Sequence, residues 1–151
     1  MLRTIGAAVV VALALAGLAL GAVQKDSYKV SASLKARSEV PKPKGVPAGA
    51  TGTFAGTAVE LANDKARLTW KLSFSHLSGA AIAAHIHLGK PGKAGPVVLA
   101  LCGPCKSGQK GTGMLTHAQL SKLEAGAGYV NVHTAKNAGG EIRGQLRLSD
   151  G

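Results

Sequence analysis

Hydrophobic and polar residues alternate along two long segments of the chain. In residues 28–36 every second position is apolar, and residues 67–75 repeat the pattern with Leu68, Trp70, Leu72 and Phe74 on one face. A period of two residues is typical of a β-strand with one buried face, because successive side chains point to opposite sides of a sheet. Both segments therefore predict strands whose apolar faces contribute to a common core.

The remaining strand and helix signals are less regular. Further strands are predicted at residues 51–61, 82–88, 96–101, 129–134 and 141–148, the last two forming a hairpin around residues 137–140. Residues 39–50 hold three prolines and two glycines, which indicates a loop. Thr116 and Gln119 have the spacing of a helix capping box, before an apolar pair at Leu120 and Leu123. Seven or eight short strands with at most one short helix predict an all-β fold, an antiparallel β-sandwich of Greek-key type, as in immunoglobulin or Cu/Zn superoxide dismutase domains.

The first 22 residues have the layout of an export signal. Arg3 precedes an apolar run at residues 5–20, and small residues follow it. This layout predicts a secretory signal peptide that is cleaved near Gly21 or Ala22. The alternative is an uncleaved membrane anchor, since a spanning helix needs about 20 apolar residues. We expect a signal peptide at residues 1–22, a linker at 23–27 and one domain at 28–148, secreted or periplasmic and not integral to a membrane after cleavage.

The only two cysteines, Cys102 and Cys105, form a C-x-x-C motif. In a thioredoxin-type redox centre the first cysteine stands at a helix N-terminus, but residues 106–111 show no helical pattern. Exported proteins meet an oxidising environment. The motif therefore predicts a structural disulfide, with the redox centre as the alternative.

Positive charge dominates the composition. Eighteen Lys and Arg stand against seven Asp and Glu, a formal net charge of +11, and loss of Arg3 with the signal peptide leaves +10. Eight of the basic residues form two stretches, Lys35, Arg37, Lys42 and Lys44, and then Lys90, Lys93, Lys106 and Lys110. Aromatic residues are only 3% of the chain, so the stacking side chains of a nucleic-acid binder are scarce. We expect no nucleic-acid partner, and anionic envelope polymers remain one candidate partner.

Three histidines are the candidate chemistry of the chain. His85 and His87 lie two residues apart on a predicted strand, so both imidazoles project from the same face. His133 lies on another predicted strand, and the three rings can converge if these strands are neighbours. Neutral imidazoles in this arrangement suit Cu²⁺ or Zn²⁺. The alternative is that the three rings hydrogen-bond to one another and brace the sheet without a metal.

Polar residues on the last two strands are candidates to orient these histidines. Tyr129 and Asn131 share a strand face with His133, and Glu141 and Arg143 alternate with apolar residues on the final strand. Partners of this kind commonly fix the orientation of metal-binding imidazoles. The alternative is the exposed polar face of a strand, where cross-strand ion pairs contribute little.

Several ordered motifs together resemble the CHRD domain, the module repeated in chordin and found singly in many exported bacterial proteins. They are Glu39-Val40-Pro41, Ala84 to Gly89 with Gly92 and Gly95 to Val98, Tyr129 to Thr134, and Gly139 to Leu146. The chain departs from the common pattern at Lys42 and Ala138, where the family often has proline, and the segment between Thr116 and Tyr129 is short. The resemblance covers residues 28–148 and implies a β-sandwich and a secreted or envelope location.

Three functions are compatible with these observations. The first is an exported, non-enzymatic CHRD module that binds a partner or serves a structural role in the cell envelope or extracellular space. The second is a metalloprotein that binds copper or zinc through His85, His87 and His133. Such a protein could also have dismutase-like redox activity. The third is a basic module for anionic polymers. The sequence shows neither the spacing of a Ser-His-Asp triad nor a pair of catalytic carboxylates, so it favours a non-enzymatic protein. It establishes no cofactor.

Overall fold

A computed structural model of the protein describes residues 26–151, which fold around an antiparallel β-sheet. The strands are β1 Ser27–Lys35, β2 Thr51–Leu61, β3 Lys65–Ser75, β4 Ala81–Leu88, β5 Val97–Cys102, β6 Gln109–Thr116, β7 Gly128–Thr134, β8 Ile142–Gln145 and β9 Arg147–Asp150. One α-helix, α1, spans His117–Glu124, and a 3₁₀ turn spans Ala36–Ser38. The predicted all-β class with one short helix is confirmed. The predicted signal peptide and the first three linker residues lie outside the described residues.

The sheet curls until its two edges approach each other. Strand order is β5-β4-β7-β8-β1-β2-β3-β6, all pairs are antiparallel, and β9 pairs with β1 beside this path. At the two ends of the path, Leu99 of β5 packs over Gly113 of β6. The result is a nearly closed, sandwich-like sheet that encloses one core.

The alternating segments place their apolar faces in this core, as predicted. Val30 and Leu34 of β1 and Leu68 and Leu72 of β3 are at most 2% exposed. Phe54 and Trp70 stack with ring centroids 6.4 Å apart. The period-two pattern therefore identified the buried face of each of these strands correctly.

The short helix begins where the capping-box spacing predicts. The Thr116 hydroxyl accepts from the backbone N–H of Gln119 at 3.1 Å, and the Thr116 N–H donates to the Gln119 side chain at 2.8 Å. Leu120 and Leu123 are almost fully buried. Within residues 26–151 no helix combines the length and the apolar character needed to cross a bilayer.

Two features of the sheet differ from the sequence-based prediction. No strand was predicted at β6, which contains Gly111 and Gly113 and so carries no clear alternation. The glycines are required because a Cβ at Gly111 would overlap the Trp70 ring, and one at Gly113 would come within 2.6 Å of Leu99. The predicted strand at residues 141–148 is divided at Leu146 into β8, which pairs with β7, and β9, which pairs with β1.

Gly111→Ala tests the close packing of β6 on Trp70. We expect the free energy of unfolding to fall by about 1–3 kcal/mol, the usual effect of overpacking a core. Urea denaturation measures it. Gly139→Ala is the matched control, because no atom lies within 4 Å of its added Cβ. Equal stability of the two variants would show that Trp70 moves aside freely.

The cysteine pair forms a disulfide at the end of β5. The Cα atoms of Cys102 and Cys105 are 5.2 Å apart, and the Cys105 N–H donates to the Ala81 carbonyl at 3.0 Å. The motif is followed by β6 and not by a helix. Cys102 therefore does not stand at a helix N-terminus, as the first cysteine of a thioredoxin-type centre does. This geometry supports the structural interpretation.

Candidate metal centre

Strands β4 and β7 are neighbours, and this pairing brings the three histidines together. In the register, His87 stands opposite Tyr129 and Ala83 stands opposite His133. One ring nitrogen from each of His85, His87 and His133 lies within 4.8 Å of the other two. Nδ1 of His85 is 3.0 Å from Nε2 of His133. The convergence that the sequence left open is therefore present.

The histidines occupy the sheet face that points away from the apolar core. The alternate residues Ala84, Ile86, Val130 and Val132 are fully buried in the core. All seven residues of β7 are nonetheless buried, because the 36–50 and 89–96 segments cover the other face. His87 and His133 are 9% and 8% exposed, while His85 is half-buried. The cluster thus has a sheltered interior and one side near solvent.

Two backbone carbonyls set the tautomers of the buried rings. Nδ1 of His87 donates to the Gly95 carbonyl at 2.8 Å, and Nδ1 of His133 donates to the Ala138 carbonyl at 2.9 Å. In a neutral imidazole this leaves a lone pair on each Nε2. Nε2 of His87 is buried and has no hydrogen-bond partner among residues 26–151. Both rings are therefore arranged as metal-binding histidines usually are.

The environment favours the neutral form of His85 and His133. Burial lowers the pKa of His85, and the neighbouring His133 and His87 lower it further. Burial also lowers the pKa of His133, which outweighs the opposing effect of its hydrogen bond to Ala138. The neutral form, the one that binds metals, is thus favoured near neutral pH.

Asn131 adds an oxygen to the cluster. Its Oδ1 lies 2.9 Å from Nε2 of His133. Because Nδ1 of His133 donates to Ala138, a neutral His133 presents a lone pair at Nε2, so two acceptor atoms face each other. A cation placed between them stabilises such a pair.

Tyr129 and Arg143 hold the ring of His87. The rings of His87 and Tyr129 stack with centroids 4.7 Å apart and an angle of 7° between planes. Cζ of Arg143 lies 3.4 Å from the centroid of the Tyr129 ring, and Arg143 is 1% exposed. The Tyr129 hydroxyl accepts from the Gly95 N–H at 3.2 Å. These contacts place both residues where the sequence analysis expected them, beside the histidines.

Glu141 is positioned differently from that expectation. Its carboxylate accepts from the Ser78 N–H at 2.6 Å, the Ser78 hydroxyl, the Thr134 hydroxyl at 2.5 Å and the Asn137 amide at 3.0 Å. None of these partners is a histidine, so Glu141 fastens two turns together rather than orienting an imidazole. Burial alone raises the pKa of this carboxyl, but the hydrogen bonds outweigh it and hold the pKa below its usual value.

A buried acid that is not among the residues predicted from the sequence lies beside the cluster. Glu39 is 1% exposed, and its carboxylate accepts from the Val40 N–H at 2.9 Å. Burial raises its pKa, against the opposing effects of Val40, Arg143 and Asn131. Loop residues have no periodicity from which burial can be read. Its one sequence signal was its place in the Glu39-Val40-Pro41 motif.

The glycine-rich loop before β5 is fastened onto the site at Gly95, which contacts both His87 and Tyr129. Gly95→Ala would place a Cβ against the Leu88 carbonyl, so the loop must shift. Because the carbonyl of Gly95 fixes the His87 tautomer, we expect metal affinity to fall about 10–100-fold, as for other supporting contacts. Isothermal titration calorimetry checks this. Gly139→Ala is the control, and equal affinity of both variants would contradict a role for the loop.

Comparison with known proteins agrees with the ordered motifs. The CHRD domain family matches residues 30–146, which is most of the chain. No curated protein matches the chain. No solved structure matches it. The match includes β4, β7 and β8, the strands that carry the histidine cluster and Arg143. The protein that carries three histidines on the outer face of this sheet therefore belongs to the CHRD domain family.

Proposed function

We propose that the protein is an exported CHRD module that binds a divalent transition metal, Cu²⁺ in preference to Zn²⁺, through His85, His87 and His133. The observation that carries the proposal is the pair of Nε2 lone pairs on His87 and His133, each produced by a hydrogen bond from Nδ1 to a backbone carbonyl. The role is binding in the cell envelope or extracellular space rather than catalysis.

The spacing of the nitrogens supports the proposal. Two nitrogens that each bind one metal at about 2.0–2.1 Å are about 2.9–3.4 Å apart at coordination angles of 90–109°. The 3.0 Å between His85 and His133 falls in this range. His87 lies within the 4.8 Å span of the cluster, so closing the site requires its ring to move toward the other two.

The chemistry of the donor set favours copper. Imidazole nitrogens suit both metals, and the Irving–Williams order gives Cu²⁺ the higher affinity at a given site. The half-buried His85 leaves one side near solvent, where a water or substrate could complete the coordination. Dismutase-like redox activity is the second candidate function, and it requires this open side.

Calorimetry on metal-free protein tests the proposal. We expect one Cu²⁺ per chain and weaker binding of Zn²⁺, with nitrogen hyperfine structure in the electron paramagnetic resonance spectrum of the copper form. Absence of binding by both metals, or a spectrum without nitrogen ligands, would refute it. Superoxide turnover by the copper form would favour the dismutase-like alternative over simple binding.

Export is tested separately. We propose cleavage of residues 1–22 and release to the periplasm or medium, supported by the composition of that segment and by the disulfide. The intact mass of the mature protein is expected to correspond to a start near Ala22 or Val23. A mass that includes Met1 would instead support the membrane anchor.

A further inference from the structure

A cavity of about 350 Å³ lies between the two loops that cover the outer sheet face. One wall comes from the 37–42 segment, with Arg37 and Lys42, and the other from Pro91 and Gly92. Arg143 and Gln145 of β8 also line it. The volume is at the lower end of the range for small-molecule sites, about 300–1,000 Å³.

The lining is positively charged. Arg37, Lys42 and Arg143 stand against one acid, Glu39. Arg37 and Lys42 are exposed at the rim, whereas Arg143 and Glu39 are each 1% exposed. The cavity therefore combines Arg37 and Lys42 of the first basic stretch with Arg143, which the fold brings together from distant parts of the chain. Such a lining attracts an anion.

Arg143 is held rigid and keeps one donor group unused. Its guanidinium lies over the Tyr129 ring, and Nη2 donates to the Lys90 carbonyl at 3.1 Å. Nη1 is buried and has no hydrogen-bond partner in the described part of the chain. A buried donor without a partner costs free energy, and a ligand that accepts from it recovers that cost. A carboxylate matches a fixed guanidinium edge well.

We propose that this cavity binds a small hydroxylated carboxylate, whose carboxylate group pairs with Arg143 and whose hydroxyl groups meet the polar wall. A singly charged carboxylate suits the site better than a phosphate dianion, since the Glu39 carboxylate lines the same cavity. The ligand has two possible sources, a free sugar acid or a uronate unit of an acidic polysaccharide. The proposal does not depend on the metal site.

The test compares galacturonate with galactose, which lacks the carboxylate, on protein freed of metal and dialysed. We expect galacturonate to bind with a Kd of about 1 mM or tighter, and galactose at least about tenfold more weakly. Arg143→Gln is expected to lower galacturonate affinity about tenfold or more. Equal binding of the two sugars, no binding of galacturonate, or stronger binding of inorganic phosphate would overturn the proposal.

Rim variants keep the test decisive if Arg143→Gln fails to fold. The Arg37→Ala/Lys42→Ala double variant changes exposed residues and is expected to weaken galacturonate binding several-fold, more so at low salt. Lys110→Ala removes an exposed charge on β6, outside the cavity lining, and is expected to change nothing. An equal effect of both variants would refute a localised site. Polygalacturonate identifies the source: tighter binding per uronate unit than the monomer indicates a polymer, and equal binding indicates the free acid.

Discussion

His133→Ala is expected to weaken Cu²⁺ binding by about 100-fold or more. The substitution removes one of three nitrogen ligands and the ring whose Nε2 lies 3.0 Å from Nδ1 of His85. It also removes the ring that the Asn131 oxygen faces. Competition calorimetry against a copper chelator of known affinity measures the loss. His87→Ala is expected to act similarly, because its Nε2 is the buried lone pair without another partner among the described residues.

Two further variants separate a metal site from a structural role of the histidines. His117→Ala changes an exposed ring on α1 and is expected to retain the parent affinity. Asn131→Ala keeps all three imidazoles and is expected to lower affinity about tenfold, as loss of a supporting contact does. If His133→Ala binds Cu²⁺ as well as His117→Ala does, while both remain folded by circular dichroism, the three-histidine site is refuted.

Glu141→Ala is expected to lower the free energy of unfolding by about 3–5 kcal/mol. Its fully buried carboxylate accepts from four donors of Ser78, Thr134 and Asn137, and each buried donor left without a partner costs about 1–3 kcal/mol before local relaxation. Urea denaturation measures the change. Glu124→Ala, an exposed acid on α1, is the control and is expected to change stability by less than about 1 kcal/mol. Similar losses in both variants would contradict the anchoring role.

The pH dependence of stability gives a second measurement on Glu141. Its pKa is held below the usual value, so its contribution to stability is present above the unfolded-state pKa. The contribution is lost as the pH falls through the lower, folded-state pKa. We expect the parent protein to lose stability below about pH 4 more steeply than Glu141→Gln does. Identical acid profiles would show that the hydrogen bonds do not favour the ionised form.

Much of the fold was predictable because its signals are local. Alternation at β1 and β3 identifies a buried face without knowledge of any other strand, and the Thr116–Gln119 spacing marks the start of α1. Strand β6 was missed because Gly111 and Gly113 have no side chains to alternate. These glycines are required by tertiary packing, since Trp70 and Leu99 occupy the space that side chains at these positions would fill.

The candidate site also has features that local sequence predicts and features that depend on distant segments. His85 and His87 are two residues apart on one strand, so strand geometry alone places both rings on the same side of the sheet. That His133 joins them depends on the pairing of β4 with β7, a contact between distant segments. Glu141 binds Ser78 and Thr134 because the turn before β8 redirects its side chain, which strand alternation does not describe.

The sequence by itself determined most of the strands, the helix cap, the cysteine pair and the shared face of His85 and His87, since each depends on neighbours within a few residues. Only the tertiary structure decided which loops cover that face, why Glu39 and Arg143 are buried, and how Arg37 and Lys42 come to line one cavity with Arg143. These features arise from long-range strand pairing and from the burial of polar groups under loops. No period of the local sequence encodes either of them.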